Sequence, residues 1–140
     1  MIEAVLRYVE ERFGIPREIF NGFRFFSRGR DVWIVSEDVP ELKHINRMGL
    51  RFARGGAENP KLTTAVIQIF GRHATRNTVS LDDEQLSRYL RGEDVEVGEV
   101  PGVERGQVIV MYGEDALGSG LYDGRRVKNQ IPKARRIVSR

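Results

Sequence analysis

The stretch "VIVMYGEDALGSGLYDGRRVKNQIPKARR" (residues 108–136) is the most informative part of the sequence, because two apolar runs in it are followed by a run of cations. "GQVIVMY" (106–112) and "DALGSGLYDG" (115–124) are separated by a glycine-containing turn and predict two strands. Glycines at 118, 120 and 124 favour a bent barrel strand that lets another backbone approach closely. A dinucleotide-binding loop is disfavoured, since the glycine spacing is one residue too long and Pro132 interrupts the helix that should follow.

The end of this stretch, residues 122–136, carries six cations against the single acid Asp123. Two interpretations compete: a disordered basic arm, or a loop and last strand that present the cations at fixed positions. A flexible arm should lack apolar anchors, yet Val127, Ile131 and Ile137 interrupt the charges. The fixed arrangement is therefore favoured, with "ARRIV" (134–138) as a closing strand.

The net charge of +3 conceals an uneven distribution. Residues 121–140 carry a net charge of +6, whereas the first 120 residues carry −3. Such a local excess is what a phosphate-facing surface needs. Of the 23 cationic side chains 19 are arginine, whose planar fork suits phosphate better than the point charge of lysine. A GC-rich or thermophilic genome is an equally good explanation of the arginine bias.

The composition indicates a globular protein. A chain of 140 residues fits one domain, or one domain with a small appendage, and 40% hydrophobic residues can form a core. Cysteine is absent, which excludes disulfides, thiolate metal sites and cysteine nucleophiles. The longest apolar runs are too short to span a bilayer, and the N-terminus does not resemble a signal peptide. We therefore expect a cytoplasmic protein without a membrane partner.

The first part of the chain predicts a helix and a hairpin. Apolar residues recur at helical spacing over residues 2–13, and Gly14 is a typical C-terminal stop. Pro16 predicts a short second helix. The runs "GFRFFS" and "DVWIVS" flank "RGR" and predict a hairpin with Gly29 in its turn. A half-buried strand is predicted for "MGLRFAR" (48–54).

A break in the pattern at "GGAENP" (55–60) marks the one internal boundary that the sequence indicates. It predicts an N-terminal α/β segment of residues 1–58 and a second domain of residues 59–140. Within the second domain, "KLTTAVIQIFGRHA" (61–74) predicts a short helix with Leu62, Val66, Ile69 and Phe70 on one face.

Further short elements follow this helix. "TRNTVSL" predicts a strand, and Ser80 followed by Asp83 predicts a capping box at the start of the helix "LDDEQLSRYLR", which Gly92 ends. "DVEV" (94–97) predicts another strand. Short strands at intervals of about ten residues, with small helices between them, indicate an α+β protein built on a compact mixed barrel.

Candidate catalytic groups are few. The acids at residues 82–84 could be acid–base groups or metal ligands, but the first turn of a helix favours negative charge for structural reasons. His44 and His73 stand alone, whereas a metal needs three or four ligands. An enzyme with a carboxylate site at Glu37 or Asp38 is the least favoured alternative. We expect no catalysis, no cofactor and no metal.

From Lys61 onward the sequence resembles PUA domains, the RNA-binding modules named for pseudouridine synthases and archaeosine transglycosylases. The similarity is to the PUA-like C-terminal tail of Nop/Sun-type RNA cytosine-5 methyltransferases, in which a pattern "lG.G...G..KN..PK..R" closes the domain. The matching residues here are Leu117, Gly118, Gly120, Gly124, Lys128, Asn129, Pro132, Lys133 and Arg136. The N-terminal part, with "VWIVSED" after an aromatic strand, resembles small PUA-containing ribosome-assembly factors.

The resemblance implies a small N-terminal α/β segment followed by a PUA-like mixed β pseudo-barrel with short helices. It implies RNA contacts from the first PUA helix, the following strand and the closing loop. The RNA-binding candidates are Lys61, Arg72, Arg76, Asn77, Arg125, Arg126, Lys128, Asn129, Lys133, Arg135 and Arg136. Lys128 and Asn129 could instead be structural, with Asn129 satisfying turn backbone groups. The methyltransferases' S-adenosylmethionine-binding domain and catalytic cysteines have no counterpart in this sequence.

The resulting hypothesis is a non-catalytic RNA-binding protein that recognises structured tRNA or rRNA in RNA modification or ribosome assembly. Its expected partners are that RNA and an RNA-modifying enzyme or assembly factors. The alternative is a protein-interaction accessory subunit of an RNA methyltransferase or ribosome-assembly complex. The aromatic hairpin (Phe23, Phe25, Phe26 and Trp33) would support this alternative, although core burial is the commoner fate of such residues.

Overall fold

The computed structural model describes residues 1–36 and 49–136, and these residues form an α+β fold with two sheets. In chain order the elements are α1 (Ile2–Phe13), a 3₁₀ helix (Arg17–Phe20), β1 (Phe23–Arg28), β2 (Asp31–Ser36), β3 (Leu50–Arg54), β4 (Lys61–Leu62), α2 (Thr64–Phe70), a 3₁₀ helix (Gly71–His73), β5 (Thr78–Ser80), α3 (Asp83–Leu90), β6 (Val95–Glu96), β7 (Gly106–Tyr112), β8 (Asp115–Tyr122), β9 (Arg126–Asn129) and a 3₁₀ helix (Lys133–Arg135).

The first sheet has the order β1-β2-β3-β4 over the described residues, with every pair antiparallel. The predicted hairpin is confirmed, with Gly29 at a φ of 61° in its turn. The predicted first helix is also confirmed. It ends where Gly14 takes a left-handed conformation and donates its N–H to the carbonyl of Glu10.

The second sheet has the order β5-β7-β8-β9-β6, in which β5 runs parallel to β7 and the other pairs are antiparallel. The predicted strands β6, β7 and β8 are confirmed, and so is the predicted α+β class. A Cβ on Gly120 would collide with the side chain of Val127 on β9, and one on Gly118 would lie 2.7 Å from the Tyr89 hydroxyl. These glycines therefore permit the close approach of neighbouring elements that the sequence predicts.

Two hydrophobic cores share the strand β7. The first core joins the inner face of the first sheet to α1 and α2, and it includes Phe13, Phe52 and Ile109. The second core lies within the second sheet and under α3, and it includes Val108 and Val110. Since successive side chains of a strand point to opposite faces, β7 contributes to both cores at once.

Three boundaries differ from the sequence predictions. Lys61 and Leu62 are a strand paired with β3, because Thr63 caps α2 and the helix begins only at Thr64. The cap of α3 is Asp82, which forms the reciprocal capping box with Gln85; Ser80 is not the cap. The last strand of the described chain is β9. Residues 134–136 are not a strand, and Ile137 and Val138 lie outside the described residues.

The division at residue 58 stays a prediction. The strand β4, which follows residue 58, pairs with the first sheet, and α2 contributes Val66 and Ile67 to the first core. No helix among the described residues is long and apolar enough to cross a membrane. The candidate carboxylates Glu37 and Asp38, His44 and the start of the predicted strand at Met48 lie outside the described residues.

Candidate nucleic-acid interface

The cationic segment is held on the second sheet as far as Arg136. Strand β9 pairs with both β8 and β6. Val127 and Ile131 are only 1% and 3% exposed and belong to the second core. The structure therefore agrees with a fixed arrangement of this segment rather than with a flexible arm.

The side chain of Asn129 holds this segment in place through hydrogen bonds. Its Nδ2 donates to the carbonyls of Tyr89 (2.8 Å) and Glu93 (2.9 Å), and its Oδ1 accepts from the N–H of Ile131 (2.8 Å). Both amide hydrogens and one acceptor site of the side chain are therefore used by the protein backbone. These contacts agree with the structural alternative for Asn129, and its role as an RNA contact stays a prediction.

At the turn end of the segment, which we define as Asp123–Arg126, the cations are paired. Arg125 Nε donates to Glu96 Oε1 at 2.5 Å, and Arg126 Nη2 lies 3.6 Å from Glu96 Oε2. The hydrogen bond from Arg125 is the largest cause of a lowered pKa of Glu96. Asp123 Oδ1 accepts from the backbone N–H groups of Arg125 and Arg126, which also lowers the pKa of Asp123.

At the loop end, which we define as Lys128–Arg136, the cations are available. Lys128 and Lys133 are exposed and have no ion pair among residues 1–36 and 49–136. Arg135 Nη1 donates to Gln68 Oε1 (2.9 Å), and Gln68 Nε2 donates to the carbonyl of Leu117 (3.0 Å). Arg135 is thus aimed by a neutral partner that leaves its charge uncompensated.

Arg136 is less available than its neighbours. Its Nε donates to the carbonyl of Ile131 (3.2 Å), and its aliphatic stem packs where a Cβ on Gly92 would lie. Gly92 has a φ of 90°, so it follows α3 in a conformation that suits glycine and leaves room for this stem.

Asn77 does not lie at an accessible surface, which corrects its nomination as an RNA contact. It is 3% exposed, at a φ of 55°. Its Nδ2 donates to the carbonyl of Arg12 (2.7 Å), and its Oδ1 accepts from the N–H of Glu104 (2.8 Å). Asparagine is one of the few residues that tolerate the left-handed region, so a structural role accounts for it.

The remaining nominated cations lie on or beside different elements. Lys61 is opposite Arg54 at the edge of the first sheet. Arg72 is exposed beyond α2 and donates from Nε to His73 Nε2 (3.3 Å). Arg76 is exposed beside the end of α1, where its backbone N–H donates to the carbonyl of Phe13. The structure therefore brings the loop end together with α2 through Gln68, but it does not gather all the nominated residues.

The acids at residues 82–84 each make a contact within the protein. Asp82 is the cap of α3, Asp83 accepts from the Tyr112 hydroxyl, and Glu84 pairs with Arg88 at 3.2 Å. These contacts agree with the structural interpretation of residues 82–84. Within the described residues, no three side chains among His, Cys, Asp and Glu are grouped so that they could hold a metal ion.

Two arginines of the first sheet, Arg51 and Arg54, were not among the predicted RNA contacts. Arg51, Arg54 and Arg135 line one cleft between the first sheet and the terminal loop, together with Trp33 and Pro132. The alternation in "RFFSRGRDVW" is a signal that could have placed Trp33 and arginines on one face. No signal could have revealed Glu96 or Gln68 as partners, because each lies far along the chain from the arginine that it contacts.

Comparisons with known proteins match both parts of the chain. Residues 76–137 match the family model described as "Methyltransferase RsmF PUA domain", and residues 2–49 match a family of unknown function, DUF7122. Three curated proteins named ribosomal RNA small subunit methyltransferase F are similar. They come from Shewanella woodyi (32% identity over 137 residues), Aeromonas salmonicida (28% over 136) and Vibrio cholerae (29% over 109).

These alignments include 94%, 94% and 76% of this chain, but only 27%, 27% and 23% of the respective relatives. The chain thus spans about a quarter of the length of the curated relatives that it matches. The matched family, the two-sheet fold and the glycine-rich strand before a cationic segment all agree with the resemblance inferred from the sequence. The chain carries a PUA-like domain that resembles the C-terminal tail of Nop/Sun-type RNA methyltransferases.

Proposed function

We propose that this chain is a non-catalytic RNA-binding module that holds structured rRNA or tRNA during RNA modification or ribosome assembly. The relatives are named as rRNA methyltransferases, and the second part of the chain matches the model of a PUA domain from that family. The proposed division of labour is recognition by this chain and chemistry by an RNA-modifying enzyme that acts with it.

The observation that carries the proposal is the set of uncompensated cations at the loop end. Lys128, Lys133 and Arg135 project from a segment whose apolar residues are buried and whose backbone is fastened by Asn129. A receptor that is already ordered loses less conformational entropy on binding than a flexible arm does. Phosphates are the ligands that such a cluster suits.

Structured RNA suits this surface for a geometric reason. The major groove of an A-form helix is too narrow for side chains, so proteins read the backbone shape and the unpaired nucleotides. The loop end presents fixed charges rather than a groove-filling helix. It therefore suits the sugar–phosphate backbone beside a stem or loop.

The proposal is tested by crosslinking the chain to RNA in cells and sequencing the bound fragments. We expect enrichment of defined rRNA or tRNA elements relative to a Lys128→Glu/Lys133→Glu variant. With three to five phosphates bound, log affinity for an enriched fragment should fall with log salt at a slope of about −2 to −4. A flat salt dependence would contradict the proposal. Nuclease-resistant co-purification with a methyltransferase, without RNA enrichment, would instead support the accessory-subunit alternative.

A further inference from the structure

The outer face of the first sheet combines aromatic rings with arginines. Phe23 and Phe25 point inward and pack on the first core. The next residue, Phe26, lies opposite Trp33 on the other face, with the two rings 6.2 Å apart and inclined by only 12°. Half of the aromatic hairpin therefore packs on the first core, and the other half forms a partly exposed stacked pair on the opposite face of the sheet.

Two guanidiniums lie over this surface. The Cζ of Arg28 is 5.7 Å from the Trp33 ring centre, and that of Arg51 is 5.6 Å from it. Asp31, which lies 3.5 Å from Arg51, is the only acid paired with either arginine among the described residues. The surface therefore carries excess positive charge next to π-faces, which complements a stacked base flanked by phosphates.

This surface continues into a cleft of about 280 Å³ that reaches the loop end. Its lining consists of Trp33, Arg51 and Arg54 of the first sheet, Thr63, Thr64 and Ala65 at the start of α2, and Pro132 and Arg135 of the loop end. The indole N–H of Trp33 is enclosed and has no acceptor within the described chain. The cleft volume is near the lower limit for small-molecule sites, which suits one nucleotide better than a larger ligand.

We propose that this cleft binds an unpaired nucleotide, with its base stacked on Trp33 and its flanking phosphates held by Arg54 and Arg135. The inference rests on the proposed function, because it assigns a second contact surface to the same RNA. It extends the RNA-binding surface from the PUA-like domain onto the N-terminal sheet. Arg135 belongs to both surfaces, since Gln68 holds it at their junction.

The test uses Trp33 as its own reporter, because it is the only tryptophan in the chain. Two RNA probes are compared: a blunt duplex, and the same duplex with a four-nucleotide single-stranded overhang. We expect the overhang to raise the affinity and to quench the Trp33 emission, since a base stacked on an indole quenches it. The blunt duplex should bind through the loop end without quenching.

Variants separate stacking from charge. Trp33→Leu should weaken binding of the overhang probe by about 5- to 100-fold and leave the blunt duplex unaffected. Arg54→Glu, at an exposed position, retains the reporter and should weaken overhang binding by about 3- to 10-fold. Arg7→Glu on α1 is the matched control, because α1 packs on the inner face of the sheet. A thermal melt of each variant checks the fold.

The outcomes distinguish the two proposals. Equal affinity for both probes, unchanged emission and no effect of Arg54→Glu would overturn the nucleotide cleft while leaving the proposed function in place. Failure of the wild-type chain to bind either probe or any crosslinked cellular RNA would overturn the proposed function and the cleft together.

Discussion

The two ends of the terminal cationic segment have similar sequences, but their cations differ in whether a carboxylate offsets their charge. At the turn end, Arg125 and Arg126 share the carboxylate of Glu96. At the loop end, Lys128 and Lys133 have no carboxylate partner among the described residues, and Arg135 is held by a neutral amide. Arg125 is nonetheless highly exposed, with 78% of its side chain accessible. Exposure and charge alone therefore do not identify the cations that are ready for a phosphate.

The charge of its partner therefore determines whether an exposed cation is available to a phosphate. An exposed ion pair contributes little to stability, but it reduces the field available to an anionic ligand. A neutral partner such as Gln68 fixes direction without reducing charge. We therefore rank the loop end above the turn end as the RNA contact, and the following predictions test that ranking.

The largest effect is expected from reversing the loop-end lysines. Lys128→Glu/Lys133→Glu should lower RNA affinity by about 100-fold at moderate salt, because two attractions become repulsions. Arg125→Glu/Arg126→Glu makes the same charge change at the turn end and should lower it by only about tenfold, since Glu96 already offsets these arginines. Filter binding measures both, with thermal melts as the check on folding. Equal losses would remove the distinction between the two ends.

The next effect concerns the hydrogen bonds by which Asn129 holds the loop end in place. Asn129→Ala leaves the carbonyls of Tyr89 and Glu93 and the N–H of Ile131 without their partner, which should cost about 1–3 kcal/mol of unfolding free energy. Urea unfolding measures the loss, and hydrogen exchange at Ile131 should accelerate.

In the same variant, the N–H groups of Arg125 and Arg126 should keep their protection, because Asp123 holds them. Gln130→Ala is the control, since within residues 1–36 and 49–136 its side chain makes one hydrogen bond, which it accepts from Ser119. Loss of protection at both ends would mean that the segment opens as one unit.

A smaller effect is expected when the ion pairs of the turn end with Glu96 are removed. Glu96→Gln removes the charge shared by Arg125 and Arg126 and should raise RNA affinity by about two- to fivefold, with a steeper salt slope. Glu99→Gln, another exposed acid, makes the same change in net charge away from any ion pair of the described chain and should have less effect. An unchanged affinity for Glu96→Gln would show that the turn end lies outside the RNA footprint.

The smallest effect is a dependence of stability on pH. The pKa of Glu96 is lowered from 4.5 in the folded chain, mainly by the hydrogen bond from Arg125. A lowered pKa gives stability that is present above the unfolded value and is lost as the pH falls through the folded value. The thermal midpoint of the wild type should therefore approach that of Glu96→Gln between about pH 5 and about pH 3. A constant difference over that range would contradict this contribution.

Local sequence signals were enough for most of the architecture. The helical spacing before Gly14, the hairpin around Gly29 and the glycine-rich run before the cations each reflect a local rule. The start of α2 was missed because strand pairing with β3 overrides the helical pattern at Lys61 and Leu62. The capping box was misplaced by two residues, since Asp82 and Gln85 satisfy the same reciprocal geometry better.

The candidate site was less accessible to sequence reasoning. Charge clustering identified the terminal segment, but the roles within it depend on distant partners. Arg125 meets Glu96 across 29 positions, and Arg135 meets Gln68 across 67. Asn77 was nominated by its place in a family pattern, yet its burial follows from contacts with Arg12 and Glu104. Such pairings arise from tertiary packing and leave no local pattern.

The strand β7, which both cores share, affects how the chain unfolds and aggregates. Because Ile109 and Val110 are neighbours that serve different cores, neither core can loosen without straining the same strand. We expect a single cooperative melting transition. A chain shortened to residues 59–140 should expose the apolar side chains of β7 that face the first core, and it should aggregate. We therefore expect the first sheet to be needed to cover an apolar face of the PUA-like barrel.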